Sequence, residues 1–157
     1  MNSVYLILAA LVLSVQSFKI TKNASTQHRF KIQEKEYILE TNIKANFWAA
    51  FEFCALNRMK LVTLETQAEN DAVLSIVEKH TTGRQVFWTS GNKLGDNNTW
   101  TWMTTGTEIV FFDWGTGEPD DVNGTEQCIS ITSKTYVSGS WNDINCSVQM
   151  GVICESE

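Results

Sequence analysis

The sequence predicts an α+β domain of ordinary size. Two segments with helical periodicity lie in the first half of the chain, and short segments with strand character fill the second half. The chain has 157 residues, which is enough for one domain with a sizeable core. Its four cysteines form an even number, which indicates disulfide bonds in an oxidising compartment.

The first strand and the first helix are predicted from residue spacing. Residues 36–40 (EYILE) alternate and favour a β-strand. Residues 45–58 place Phe47, Phe51 and Cys54 on one face at helical spacing. This part of the chain therefore predicts a strand followed by an amphipathic helix.

The second helix is predicted from a capping pattern. After a strand candidate at residues 60–65, Thr66 and Glu69 stand three apart, as a capping box requires. Helical spacing continues to about His80, and Gly83 lies just beyond that end. His80 is best explained as a last-turn residue that suits the helix dipole.

The second half of the chain combines short strands with long polar stretches. Strands are predicted at residues 86–91, 100–103, 128–131 and 151–155. The stretches between them are longer than most structureless loops, and their aromatic residues would be stranded in water if the chain were disordered. We therefore expect an irregular but ordered half. The aromatic residues concerned are Trp100, Trp102, Phe111, Phe112 and Trp114.

The N-terminus has the pattern of a secretory signal. Residues 4–15 form an apolar run of 12 residues, too short for a helix that crosses a hydrocarbon core of about 30 Å. Small residues suited to cleavage follow at Val15-Gln16-Ser17, although no Lys or Arg precedes the run. We expect a signal peptide at residues 1–17, a short polar tail at 18–35, and an extracellular domain at 36–157; a buried first helix is the weaker alternative.

Charge and cysteine spacing exclude several classes of partner. The formal net charge is −6, which argues against nucleic acid and anionic membrane surfaces as partners, because both attract basic surfaces. Membrane insertion is not expected either, since no second long apolar run follows residues 4–15. No C-x-x-C pair typical of zinc sites occurs, so the cysteines predict disulfides with three possible pairings. Four Asn-x-Ser/Thr sequons fit a secretory route. They begin at Asn23, Asn97, Asn123 and Asn145.

An acidic loop is the most unusual segment. Residues 117–128 read GEPDDVNGTEQC and hold four carboxylates within nine residues around the only proline. Taken alone, such a loop is more often a solvated turn than a cation site. The carboxylates are Glu118, Asp120, Asp121 and Glu126.

Three motifs together resemble the C-type lectin-like domain. Glu118-Pro119-Asp120 is followed by Glu126 shortly before Cys128, and Trp141-Asn142-Asp143 stands before Cys146. The order of two helices, then strands and an irregular half also resembles that family, over about residues 37–155. FWTSGN, at residues 87–92, is similar to the corresponding stretch of small secreted insect lectins.

The resemblance implies a fold and a pair of disulfides. It implies two helices packed on small antiparallel sheets, with a long calcium-binding loop region. The implied pairings are Cys54–Cys154, which would tie the first helix to the last strand, and Cys128–Cys146, which would join the two segments that carry the acidic motifs. Trp141 is expected to be a buried anchor.

The resemblance also implies a calcium site that holds sugar. The same five residues would bind the ion and the sugar hydroxyls, and Pro119 would follow a cis peptide bond. A second ion is not expected, because Gln127 stands where an acid is common, although Asp121, Asn97 and Asn98 are candidates. The five residues are Glu118, Asp120, Glu126, Asn142 and Asp143.

The sugar preference does not follow from the motif. Glu118 and Asp120 only accept hydrogen bonds when ionised, so Asn142 is the single amide donor in the set. Val122 offers no aromatic face for sugar stacking, and a glycan on Asn123 would lie beside the site. We expect tight calcium binding and neither a simple mannose-type nor a simple galactose-type pattern.

The implied function is that of a secreted, calcium-dependent lectin in innate-immune pattern recognition, with glycans on cell or microbial surfaces as partners. The alternative is a lectin-like domain that binds a protein, including a glycoprotein, without sugar specificity. An enzyme is disfavoured, because His28 and His80 are the only histidines and no triad is evident.

Overall fold

The computed structural model describes residues 27–133 and 140–157. The predicted signal peptide and Asn23 lie outside these residues. Neither helix in the described part has the length and apolar character that crossing a bilayer requires. The elements are β1 (Gln27–Ile32), β2 (Lys35–Ala45), α1 (Phe47–Leu56), β3 (Lys60–Leu61), α2 (Gln67–His80), β4 (Val86–Asn92), β5 (Thr101–Trp102), β6 (Cys128–Thr132), β7 (Trp141–Ile144) and β8 (Met150–Glu155).

The predicted tail is partly wrong, because β1 is a strand of the sheet. It pairs antiparallel with β2, from Gln27 opposite Glu40 to Ile32 opposite Lys35. Apolar side chains at alternate positions, including Ile32, pack against the core and explain the pairing. The ordered domain therefore extends N-terminally of residue 36.

The strands form one mixed sheet, where the sequence predicted small antiparallel sheets. The order is β1-β2-β8-β4-β6-β7, with β3 on β8 and β5 on β4. One neighbouring pair, β4 and β8, is parallel, with Phe87 opposite Gly151. A Cβ atom at Gly151 would lie 2.5 Å from the Phe87 ring, so only glycine allows this close approach. The α+β class itself is confirmed.

The two helices cover opposite faces of the sheet. α1 packs Phe47 and Cys54 into one buried cluster, and α2 packs Val73 into the other. Neighbouring residues of β4 divide between them, since Phe87 belongs to the α2 cluster and Trp88 to the α1 cluster. This alternation is expected for a strand buried on both faces.

Side-chain caps define where the helices begin. Thr66 Oγ1 accepts a hydrogen bond from the Glu69 backbone N at 3.2 Å, as the predicted capping box requires, while Glu69 Oε2 accepts one from the Glu65 N at 3.0 Å. α1 begins two residues later than predicted, because Asn46 Oδ1 accepts from the Ala49 N at 2.9 Å and caps the helix there.

The irregular half is ordered by aromatic packing around Trp141, which is 1% exposed. The indole Nε1 of Trp141 donates to Asn70 Oδ1 of α2 at 2.9 Å. The strands predicted at 60–65 and 100–103 are shorter than expected, at Lys60–Leu61 and Thr101–Trp102, although backbone hydrogen bonds such as Val62 N to Ile153 O at 3.0 Å continue beyond them. Rings that pack on Trp141 are Trp102, Phe111, Phe112 and Trp114, with centroids 5.6–6.1 Å away.

Both disulfides form as the resemblance implied. Cys54–Cys154 ties α1 to β8 across 100 residues, and Cys128–Cys146 ties β6 to the turn after β7 across 18 residues. Loop-closure entropy makes the longer bridge worth about 4.7 kcal/mol and the shorter one about 3 kcal/mol in the chain-entropy model.

Candidate metal site

The site is built on the edge strand β7. Asp143 pairs with Ile129 of β6 and is fully buried. The acidic loop approaches this strand through a backbone hydrogen bond from the Gly115 N to the Trp141 carbonyl at 2.8 Å. A further bond of 3.0 Å, from the Glu118 N to the Gly115 carbonyl, turns the chain back toward β7.

Three carboxylates meet where the loop touches β7. The Glu118–Pro119 peptide bond is cis, as expected. Asp143 accepts hydrogen bonds from the backbone N atoms of Asp120 at 3.0 Å and Asp121 at 3.1 Å. One carboxylate oxygen from each of Glu118, Asp120 and Asp143 lies within 4.8 Å of the other two. We call these three residues the acidic cage.

The electrostatics of the cage favour a bound cation. Burial, followed by the negative charges of Asp120 and Asp143, raises the pKa of Glu118 to about 7. Glu118 Oε2 is buried and has no hydrogen-bond partner among the described residues. Burial also raises the pKa of Glu126. Oxygen-rich, negatively charged and short of donors, the cage fits a hard divalent cation.

The other two predicted ligands lie beside the cage. The Glu126 side chain accepts from the Val122 N at 3.1 Å and is not one of the three grouped carboxylates, although, after burial, Asp143 and Asp120 are close enough to raise its pKa. Asn142 precedes Asp143 on β7 and lines a cavity together with Glu118. The structure thus brings the five predicted residues into one region and groups three of them closely.

Lys93 is a site residue that the sequence analysis missed. Its ammonium lies 3.1 Å from Asp121 Oδ2 and 5.0 Å from the centroid of the Trp100 ring. The residue is only 8% exposed. Hydrogen bonding from the Glu126 N, followed by Lys93, lowers the pKa of Asp121. Lys93 and Asp121 are 28 residues apart, and no local sequence pattern predicts a contact at that separation. The only available signal was the predicted strand β4, which ends just before Lys93.

The candidates for a second ion are each engaged by other groups of the chain. Gln127 Nε2 donates to Asn97 Oδ1 at 2.7 Å, which uses the oxygen that Asn97 would offer to a metal. Asn98 donates its backbone N to Asp96 Oδ1 at 2.9 Å in an exposed turn. With the Lys93–Asp121 ion pair, the region around these residues holds hydrogen-bond donors and one positive charge, which disfavour a second cation.

The surroundings of the site are polar and open. Val122 is 47% exposed, and the neighbouring Asn123 has φ of 58° in the same turn. Asn123 and Asn97 are exposed, while Asn145 Oδ1 already accepts from Ser147 Oγ at 2.6 Å. Asn145 is only partly exposed, so the sequons at Asn123 and Asn97 are more accessible than the one at Asn145.

Comparison with known proteins gives the family. Residues 43–156 match the Lectin C-type domain. Lectin subunit alpha of Sarcophaga peregrina is 32% identical over 77% of this chain, but the chain spans only 44% of that relative. C-type lectin 37Db of Drosophila melanogaster is 30% identical over 82% of each chain. The chain belongs to the C-type lectin domain family.

A solved structure agrees with this assignment. The carbohydrate-recognition domain of the mouse scavenger receptor C-type lectin covers 83% of this chain and 95% of its own, with a TM-score of 0.71 and 26% identity. The prediction of a binding protein rather than an enzyme is confirmed by the family. The two histidines, moreover, contact each other with ring centroids 4.3 Å apart and ring planes tilted by 35°, in β1 and at the end of α2.

Proposed function

We propose that this protein is a secreted, calcium-dependent lectin that holds a sugar through one bound Ca²⁺. The observation that carries the proposal is the acidic cage, in which three carboxylate oxygens from two separate segments lie within 4.8 Å of one another. Like charges at this separation repel, and a divalent cation removes that cost. When bound, calcium supplies coordination positions for sugar hydroxyl oxygens.

The chain's own residues divide the work of binding. Glu118, Asp120, Glu126, Asn142 and Asp143 are the proposed calcium ligands and the proposed sugar contacts. The four carboxylates accept hydrogen bonds from sugar hydroxyls, and the Asn142 amide donates one. Asp143 also holds the loop in place by accepting hydrogen bonds from the backbone N atoms of Asp120 and Asp121.

One ion is proposed rather than two. Lys93 already places a positive charge 3.1 Å from the Asp121 carboxylate, and a second divalent ion there would be repelled. With one Ca²⁺ bound, the four proposed carboxylate ligands (the three of the cage and Glu126) leave a net charge of −2. This excess of negative charge supports tight binding of a single ion.

The relatives support glycan binding. The mouse structure is described as a carbohydrate-recognition domain, and the insect relatives are named lectins. We propose glycans on cell or microbial surfaces as the targets, within innate-immune recognition. The apolar run at residues 4–15 supports secretion.

The test combines calorimetry with a glycan array. Titration of the purified protein with CaCl₂ at pH 7.5 should give one binding event per chain, and array signals should disappear when a chelator is added. No calcium uptake at millimolar concentration would overturn the proposal. So would glycan binding that is unchanged by the chelator.

A second candidate is a lectin-like domain that binds a protein. Asp120 offers the cage a carboxylate, which cannot donate a hydrogen bond as the amide of an asparagine would. The exposed Asn123 sequon lies beside it. Both features weaken a sugar site without affecting the fold. A calcium isotherm with one event, combined with an array that shows no calcium-dependent signal, would favour this candidate.

A further inference from the structure

A cavity adjoins the acidic cage on the β7 side. Its volume is about 210 Å³, and its lining includes Arg84, Thr116, Glu118, Trp141 and Asn142. Pockets that enclose a whole drug-sized ligand measure about 300–1,000 Å³. This smaller space suits one substituent or part of a sugar unit, with the remainder in solvent.

Two groups that line the cavity have complementary, unused hydrogen-bonding capacity. Arg84 forms no salt bridge within residues 27–133 and 140–157. Glu118 Oε2 has no donor in the same part of the chain. A ligand that spans the two would therefore present a hydroxyl at the Glu118 end and an acceptor at the Arg84 end.

We infer that Arg84 makes this cavity a second subsite, which binds an acidic substituent of the glycan held at the cage. The chemical class is an anionic oxygen group, either a carboxylate or a sulfate ester. A guanidinium has five donors and forms paired, charge-assisted hydrogen bonds with such groups. The inference deepens the proposed function and rests on it, because the sugar is oriented by the cage.

Two opposing electrostatic effects, attraction by Arg84 and repulsion by the carboxylates, determine how strongly acidic glycans are preferred over neutral ones. Arg84 attracts the anion, while the four proposed carboxylate ligands, Glu126 included, keep a net charge of −2 after calcium binds and repel it. A charge-assisted hydrogen bond alone is worth about tenfold in affinity or more. Because the cage opposes it, we expect acidic glycans to bind about threefold to tenfold more tightly than neutral ones, and the preference to shrink as salt rises.

The experiment compares matched glycans on matched variants. Wild type, Arg84→Gln and the control Arg29→Gln are titrated in calcium with one neutral oligosaccharide, its sulfated form and its uronic-acid form. Arg29 is an exposed arginine on β1, at the opposite edge of the sheet from β7. Calcium isotherms of all three proteins report whether the cage is intact.

The expected result is that Arg84→Gln loses the acidic preference, keeps neutral-glycan affinity within about twofold and keeps calcium affinity, whereas Arg29→Gln resembles wild type. Preference for the sulfated or the uronic-acid form identifies which anion is read. Equal affinity of wild type for acidic and neutral forms overturns the inference and leaves the proposed lectin function standing. An acidic preference that survives Arg84→Gln also overturns it. Absence of binding to every glycan in calcium removes both proposals.

Discussion

Asp120 controls the hydrogen-bond pattern of the cage. Its side chain only accepts when ionised, and replacing it with asparagine adds a donor while removing one negative charge. We expect Asp120→Asn to weaken calcium binding and to strengthen monosaccharide binding about tenfold, since a hydrogen bond to a metal-bound hydroxyl is worth about 1.5–3 kcal/mol. Calorimetry with calcium and then with mannose and galactose measures both effects.

The control for this change is Glu52→Gln, which alters an exposed carboxylate on α1. It should leave both affinities unchanged. If Asp120→Asn tightened calcium binding, the carboxylate at position 120 would not be a ligand.

The raised pKa of Glu118 predicts how the calcium affinity depends on pH. Its pKa of about 7 means that a proton must leave before the carboxylate can bind the ion. The ionised fraction falls about tenfold between pH 8 and pH 6, so we expect the calcium dissociation constant to rise about tenfold over this range. Calcium titrations at half-unit pH intervals measure the change. A constant affinity over this range would exclude Glu118 as the controlling ligand.

The same pKa predicts the stability of the calcium-free protein. The pKa of Glu118 is raised above its ordinary value of 4.5, so the folded state binds the proton more tightly than the unfolded state. The contribution is fully present below about pH 4.5 and is lost as the pH rises through about 7. In chelator, the melting temperature of wild type relative to Glu118→Gln should therefore fall over this interval, and calcium should reverse the loss above it. A flat difference would show that Glu118 is not buried against its neighbours.

At the scale of elements, the acidic loop is pinned by a contact from the end of β4. Lys93 packs beside the Trp100 ring and pairs with Asp121, whose other oxygen accepts from the Glu126 backbone N at 2.9 Å. One ammonium thus restrains the segment that carries a proposed ligand.

Replacing Lys93 tests this restraint. Lys93→Met keeps the apolar stem and removes the charge, so we expect about 1–2 kcal/mol of destabilisation from the lost ion pair and cation–π contact. The pKa of Asp121 should rise toward its ordinary value. Denaturant unfolding and carboxylate NMR measure the two effects, with Lys44→Met, an exposed lysine on β2, as the control. Equal stability of both variants would contradict a structural role for Lys93.

Elements with strong local patterns were predicted well, and those that depend on distant contacts were not. The span of α2 follows from the spacing of Thr66 and Glu69 and from apolar periodicity. β1 was missed because its signal is only Phe30 and Ile32 at alternate positions among polar residues, and it becomes a strand by pairing with β2.

The site shows the same limit. The cage residues were predicted because the resemblance to the C-type lectin-like domain assigns its calcium ligands to these motif positions, whereas Lys93 and Arg84 lie in no motif. Lys93 reaches Asp121 across 28 positions, and Arg84 joins the cavity through the packing of β4, β6 and β7. Such contacts are set by the sheet order, which spacing along one chain does not contain.

At the scale of the whole molecule, the two disulfides should have different consequences. Replacing Cys54 and Cys154 by serine opens a 100-residue loop, which should cost about 4.7 kcal/mol, while replacing Cys128 and Cys146 should cost about 3 kcal/mol. Only the second pair joins the strands beside the cage. We therefore expect the variant lacking Cys128–Cys146 to be the more stable of the two but to lose more calcium affinity.

Denaturant unfolding and calcium calorimetry on the two double variants measure this difference. The measurement is made at a temperature where both remain folded, so that binding reports on the native state. Equal loss of calcium affinity in both would mean that the bridge next to β7 has no local effect on the cage.

The ion pair between Lys93 and Asp121 affects how well the turn beside the cage keeps its shape when the calcium concentration changes. Because the ammonium of Lys93 is part of the polypeptide, neither dilution nor a chelator can remove this positive charge. When dissolved calcium falls, only the cage should empty, while the adjoining turn keeps its internal counter-ion and its shape. If the proposed calcium-dependent glycan binding holds, the turn would then not have to refold between one round of glycan release and the next.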